Sequence, residues 1–158
     1  MQWTLLEMFL NELMRNLLSL DPGKESESVT SNIDVRDKIQ IVLALAVLKK
    51  IDDKWFDELK AILDLVDNDL RSARNRYVHD LWSPDGATNK LKKLEFRTAL
   101  KRPQSRKPLE LTTLHETNVE PAEIWATADA ITNAAAKIAL LTQQHQLVTR
   151  RALTKKSP

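Results

Sequence analysis

Trp55-Phe-Asp-Glu-Leu59-Lys-Ala-Ile62-Leu-Asp-Leu-Val66-Asp-Asn-Asp-Leu70-Arg-Ser-Ala73-Arg-Asn-Arg-Tyr77 is the most regular segment of the chain. Its apolar positions Trp55, Leu59, Ile62, Val66, Leu70, Ala73 and Tyr77 step by four and three without a miss. Side chains one helical turn apart lie on one face, so this spacing predicts a long amphipathic helix with an unbroken inner stripe. Asp52 or Asp53 stands where the N-cap is needed. The helix has room to continue to Trp82, where Ser83-Pro84-Asp85-Gly86 ends it. One long helix with a single apolar face needs other helices to cover that face.

Those helices are found on both sides of it. A first helix covers about Trp3 to Leu20, with Leu5, Leu6, Phe9, Leu13, Leu17 and Leu20 recurring at threes and fours. Asp21-Pro22-Gly23 stops it, and the polar, Ser-rich stretch from Lys24 to Ser31 reads as a loop. A second helix runs from about Asp34 to Ile51. Its middle, Ile39 to Leu48, is apolar all round and is expected at the centre of a bundle. A fourth helix starts at Pro121 and reaches about Val148, with Ile124, Ala128, Ile131, Ala135 and Ile138 as its inner stripe. Between helices three and four the pattern changes. Leu94 to Leu100 and Leu109 to Leu114 alternate roughly by two, with Pro103 and Pro108 between them, which fits a β-hairpin or an irregular arm. The predicted fold class is all-α, an antiparallel up-down four-helix bundle with a basic loop or β-hairpin insertion at about 83–119. One domain is expected over 1–149, and the basic tail 150–158 is expected to fray.

Composition removes several classes of chemistry. The chain has 158 residues and no cysteine, which excludes a disulfide scaffold, a thiolate zinc site and a Cys nucleophile. Gly23 and Gly86 are the only glycines, so neither a P-loop nor a dinucleotide fingerprint can be written. The three His residues are far apart, and no metal or other cofactor is expected. No secretory signal is legible in Met1-Gln2-Trp3-Thr4-Leu5-Leu6, and the run Ile39 to Leu48 is about half a bilayer span. A cytoplasmic protein without a membrane segment is the expectation.

The chemistry-bearing residues cluster late in helix three. Arg71, Arg74, Asn75, Arg76 and His79 fall within one short stretch. At about 100° per residue, Asn75 and His79 are one turn apart on one side, and Arg71 is one turn before Asn75. Val78 and Trp82 fall on the same face, away from Leu70, Ala73 and Tyr77. A polar face that also carries a Val and a Trp is a candidate interface. Late in a helix, Arg and His also commonly satisfy free carbonyls. Arg76 is expected to pair with the acidic first half of the helix.

Arg74-Asn75-Arg76-Tyr77-Val78-His79 resembles the Arg-x4-6-His motif of the HEPN superfamily, with the polar residue that often follows the Arg. The resemblance implies a helical bundle, often a homodimer, and a metal-independent endoribonuclease of toxin–antitoxin, phage-defence or RNA-processing type. It also implies RNA as substrate and an antitoxin or regulatory protein as partner. Superfamily members also keep the motif as a dimer hydrogen-bond network without catalysis. One branch has a Tyr two residues after the His. Here that position is Leu81, so control by modification of that Tyr does not carry over.

The proposed roles also follow from the side chains themselves. Cleavage by 2′-OH transesterification needs a base, an acid and cationic donors to the phosphorane. His79 titrates near neutrality and serves as acid or base. Arg74 stays charged and clamps phosphate oxygens, and Asn75 positions a phosphate oxygen or the imidazole. A two-fold dimer supplies the second His that paired proton transfers need. The insertion adds Lys92, Lys93, Arg97, Lys101 and Arg102, which with Arg71 form a candidate RNA-binding set, or else a solvated basic arm. The same Arg/Asn/His face also suits a non-catalytic dimerisation module or an RNA-binding protein without turnover.

Overall fold

The structure, a computed structural model, describes residues 2–21, 23–79, 81–85, 91–96 and 114–154. The chain is mostly helical. In chain order it forms α1 (Gln2–Leu18), α2 (Lys24–Ser31), α3 (Val35–Leu48), α4 (Asp53–Leu65), a π-helical turn (Val66–Leu70) and α5 (Arg71–His79). The strands β1 (Leu81–Pro84), β2 (Leu91–Phe96) and β3 (Leu114–Val119) follow, and α6 (Pro121–Thr154) completes the described chain. The chain, read from sequence as one domain over 1–149, divides into two compact units. The first holds residues 1–72 and 128–158, and the second residues 73–127.

The first unit is built on a dry core. Leu6, Leu10, Leu13, Met14 and Leu17 of α1 meet Val35, Ile39, Val42 and Ala46 of α3 in it. Leu59, Leu63, Val66 and Leu70 join from the α4 segment, and Ile131, Ala135, Ile138 and Leu141 from α6. Helix starts are set by short polar side chains. The Asp34 carboxylate accepts from the Arg36 N–H at 2.9 Å, and the Asp52 carboxylate from the Trp55 N–H at 3.2 Å. Helix ends are closed in left-handed backbone. Ser19 (φ 57°) and Lys50 (φ 51°) each occupy the position after a helix where glycine is common. At Lys50 the paired bonds run from Lys50 N–H to Val47 and from Ile51 N–H to Ala46.

Several expectations change. Lys24–Ser31 is helix α2, not a loop. Ser26 and Thr30, one turn apart, are buried because their hydroxyls donate to backbone carbonyls, Ser26 to Asp21 and Gly23 and Thr30 to Glu27. A polar helix can pack in this way without an apolar stripe. Helix α3 is not covered all round: Val47 and Leu48 at its end are exposed. Helix α6 continues through Thr154, past the end expected at about Val148. Residues 155–158 lie outside the described residues.

The second unit carries a three-stranded antiparallel sheet in the order β1-β2-β3. The expected helix to Trp82 ends at His79, and Leu81–Pro84 becomes a strand paired with Leu94–Leu91. Pro84 disfavours helical backbone at the residue before it. The Trp82 indole N–H donates to the Tyr77 carbonyl at 3.0 Å, satisfying a carbonyl the ending helix leaves open. The strands expected at Leu94 to Leu100 and Leu109 to Leu114 lie mostly outside the described residues. Leu91–Phe96 pairs with Val119–Leu114, shifted from the expected strands.

Candidate functional site

The segment bearing the motif is held from its N-terminal side by the π turn. The Arg71 N–H reaches the Val66 carbonyl, five residues back, and Val66 and Leu70 both remain buried. Beyond Leu70 the buried stripe stops. Ala73 and Tyr77 are only half-buried, so the expected unbroken stripe from Trp55 to Tyr77 ends at the π turn. The same turn presents Asp67. Its carboxylate accepts from the Arg71 Nε at 2.9 Å, with the Arg36 Nε at 3.8 Å. Arg71, expected among RNA-binding residues, thus sits in an ion pair of the first unit.

Arg74 and Asn75 begin the second unit, both half-buried. The Arg74 Nη1 donates to the Asn75 Oδ1 at 3.0 Å. This contact fixes the amide: its oxygen faces the guanidinium, which leaves its NH₂ group as the donor end. It also orients the guanidinium, a planar fork of N–H donors. His79 is the last residue of α5, four residues after Asn75, and its side chain lies outside the described residues. Arg76 is exposed and makes no ion pair with any described residue, so the expected pairing with the acids of α4 is not formed.

Aromatic contacts stiffen the end of α5. The Tyr77 and Trp82 rings stack at 5.9 Å with 29° between planes. Together with the indole hydrogen bond to the Tyr77 carbonyl, this ties β1 to the last turn of the helix. Val78 stays exposed, as a contact face requires.

The basic insertion is described in part. Lys92 lies in β2, half-buried, with its Nζ 3.9 Å from the Asp85 carboxylate. Lys93 pairs in register with Trp82 and with Thr117, and its side chain lies outside the described residues. Arg97, Lys101 and Arg102 also lie outside the described residues. Among the described residues, no group of His, Asp and Glu gathers as a metal site. No helix among them is long and apolar enough to cross a membrane.

The Trp55 and His145 rings pack on each other, with centroids 5.7 Å apart. The Trp55 indole N–H donates to the Leu141 carbonyl at 3.0 Å, linking α4 to α6. Burial, aided by the Lys49 charge, holds the His145 imidazole below its ordinary value. The cleft these rings line was not foreseen, because its residues come from stretches far apart in sequence. The chain matches no protein-family model, no curated protein and no solved structure, which leaves its own residues to carry the functional reading.

Proposed function

We propose that this protein is a metal-independent endoribonuclease of HEPN type, acting as a homodimer in the cytoplasm as a toxin or phage-defence component. In this reading α1, α3, the continuous α4–α5 segment and α6 are the four helices of an up-down bundle, and the sheet is its insertion. An antitoxin or regulatory protein is the expected partner. The observation that carries the reading is the Arg74–Asn75 hydrogen bond within the Arg-Asn-x3-His spacing. It joins a permanent cation to a polar amide one helical turn before an imidazole-bearing residue.

The reaction needs nothing beyond such groups. The His79 imidazole of one subunit takes the proton of a ribose 2′-OH, and that oxygen attacks the adjacent phosphorus. Arg74 holds the non-bridging oxygens as negative charge builds on them. The second subunit's imidazolium gives its proton to the departing 5′-oxygen. The products are a 2′,3′-cyclic phosphate and a free 5′-hydroxyl, and both imidazoles return to their starting states by exchange with water. Lys92 and Lys93 of β2, with Arg97, Lys101 and Arg102, serve as contacts to the flanking phosphates, which makes binding salt-dependent.

A second reading is favoured by exposed Val78 beside the Arg74–Asn75 pair. There the same face is a dimer interface without turnover, and the arginine–amide bond is part of its network. RNA incubated in EDTA with wild type and with His79→Ala separates the two. The nuclease reading expects cleavage by the wild type and at least about a hundredfold loss in the variant. The interface reading expects no cleavage by either and a changed association state in the variant.

A further inference from the structure

At the corner between α3 and α4, a cleft of about 660 Å³ opens against the C-terminal half of α6. It lies wholly within the first unit. Its apolar lining comes from Ile51, Trp55 and Val148, and its cationic edge from Lys49, Lys50 and Lys54. Lys50 and Lys54 are exposed and make no ion pair with any described residue. The Lys49 ammonium donates to the Ser19 hydroxyl at 3.2 Å. Of the acids that line the cleft, Asp52 accepts from the Trp55 N–H and is committed as the cap of α4.

Lys50 stands in the left-handed position that closes α3, as Ser19 does for α1. Its left-handed φ of 51° suits glycine, and a lysine there carries a steric cost. Beside the cleft, Leu48 and Val148 are 77% and 67% exposed, an apolar border to a cationic hollow. The hollow is concave, whereas an anionic membrane surface is met by protruding apolar and basic side chains. Asp52 and Glu58 interrupt the cationic edge, so it suits one or two separate carboxylates beside an apolar anchor and not a continuous run of negative charge. A mixed lining with an apolar floor and amide-capable Gln144 fits a polypeptide.

We propose that this cleft is a docking site for an acidic, aliphatic segment of another protein. An aliphatic or aromatic anchor enters between Ile51, Trp55 and Val148, and flanking carboxylates meet Lys49, Lys50 and Lys54. The site does not depend on the nuclease reading.

The test is selection from a display library of random short peptides on the full chain, followed by affinity measurement on Lys54→Glu, Lys50→Gly and Val148→Asp. All three positions are exposed, so the fold is retained, and a circular dichroism melt checks this. The expected result is a selected set rich in Asp and Glu around Leu, Ile or Phe. Lys54→Glu and Val148→Asp each weaken binding by about tenfold or more. Lys50→Gly weakens binding while its melting temperature holds or rises, which separates loss of a contact from loss of structure. The proposal is overturned if no peptide is selected, if the selected set lacks acidic enrichment, or if affinity ignores the three substitutions. Binding of an oligouridylate or of phosphatidylserine vesicles through the same lysines, with no peptide selected, also overturns it.

Discussion

Lys38 is 3% exposed on α3, between helices that otherwise bury leucines. Burial lowers its affinity for a proton, and Glu7 and Asp34 restore only part of it. A buried cation of this kind costs stability while it stays charged. Replacing Lys38 by Met is therefore expected to raise the unfolding free energy at neutral pH by on the order of 1 kcal/mol, read from the urea midpoint. The gain shrinks as pH rises toward the ordinary lysine range, where the wild-type ammonium loses its proton. His145 follows the same sign at lower pH. Its folded value lies below 6.5, so the stability it contributes is complete above that pH and falls as the pH drops through the folded value. His145→Gln is expected to flatten that part of the pH–stability curve. At this scale the sequence was informative about caps, because Asp34 and Asp52 act through their own local backbone. It was silent on Lys38, whose burial depends on which side of α3 meets α1.

At the scale of elements, the buried stripe of the α4 segment ends at the π turn. Up to Leu70 the α4 face is core; from Arg71 to Val78 no side chain is buried. Leu63→Ala is expected to cost about 2–5 kcal/mol in chemical denaturation. Val78→Asp, on the exposed face, is expected to move stability by less than about 0.5 kcal/mol while disturbing any contact made there. Trp82→Phe removes the indole bond to the Tyr77 carbonyl. It is expected to cost about 1 kcal/mol and to speed amide exchange in β1. The four-and-three spacing from Trp55 showed the helix but not its interruption. An apolar residue recurs every fourth position through the π turn as it does in an α-helix, so Val66 and Leu70 look regular. Strand β1 escaped notice for a related reason. Leu81 and Trp82 continue a helical period, and only pairing with the distant β2 makes them a strand. Helix α2 was missed because Ser26 and Thr30 satisfy themselves on the backbone, a solution that leaves no apolar signature.

For the whole molecule, the first unit carries the packed core and the second carries the motif and the sheet. Of the candidate site, the sequence showed the spacing Arg74-Asn75-x3-His79, and the structure describes the Arg74–Asn75 bond, while the His79 side chain lies outside the described residues. The Arg74–Asn75 bond fits that legible part. Which further cations stand beside it depends on chain pairings that spacing does not encode. Arg71 is an example: it is engaged by Asp67 on its own helical face. Under the proposed function, RNA binding by the Lys92-bearing sheet is expected to weaken steeply with salt. Reversal of Lys92 to Glu should lower both the affinity and the salt slope in a filter-binding titration. The most direct measurement of the central claim is the chemistry of the RNA ends. Purified protein is incubated with RNA in EDTA, and the fragments are read by mass spectrometry beside His79→Ala and Arg74→Ala proteins of unchanged circular dichroism. The account predicts 2′,3′-cyclic phosphate and 5′-hydroxyl ends from the wild type alone. Intact RNA with the wild type, or equal fragments from the His79→Ala protein, contradicts it.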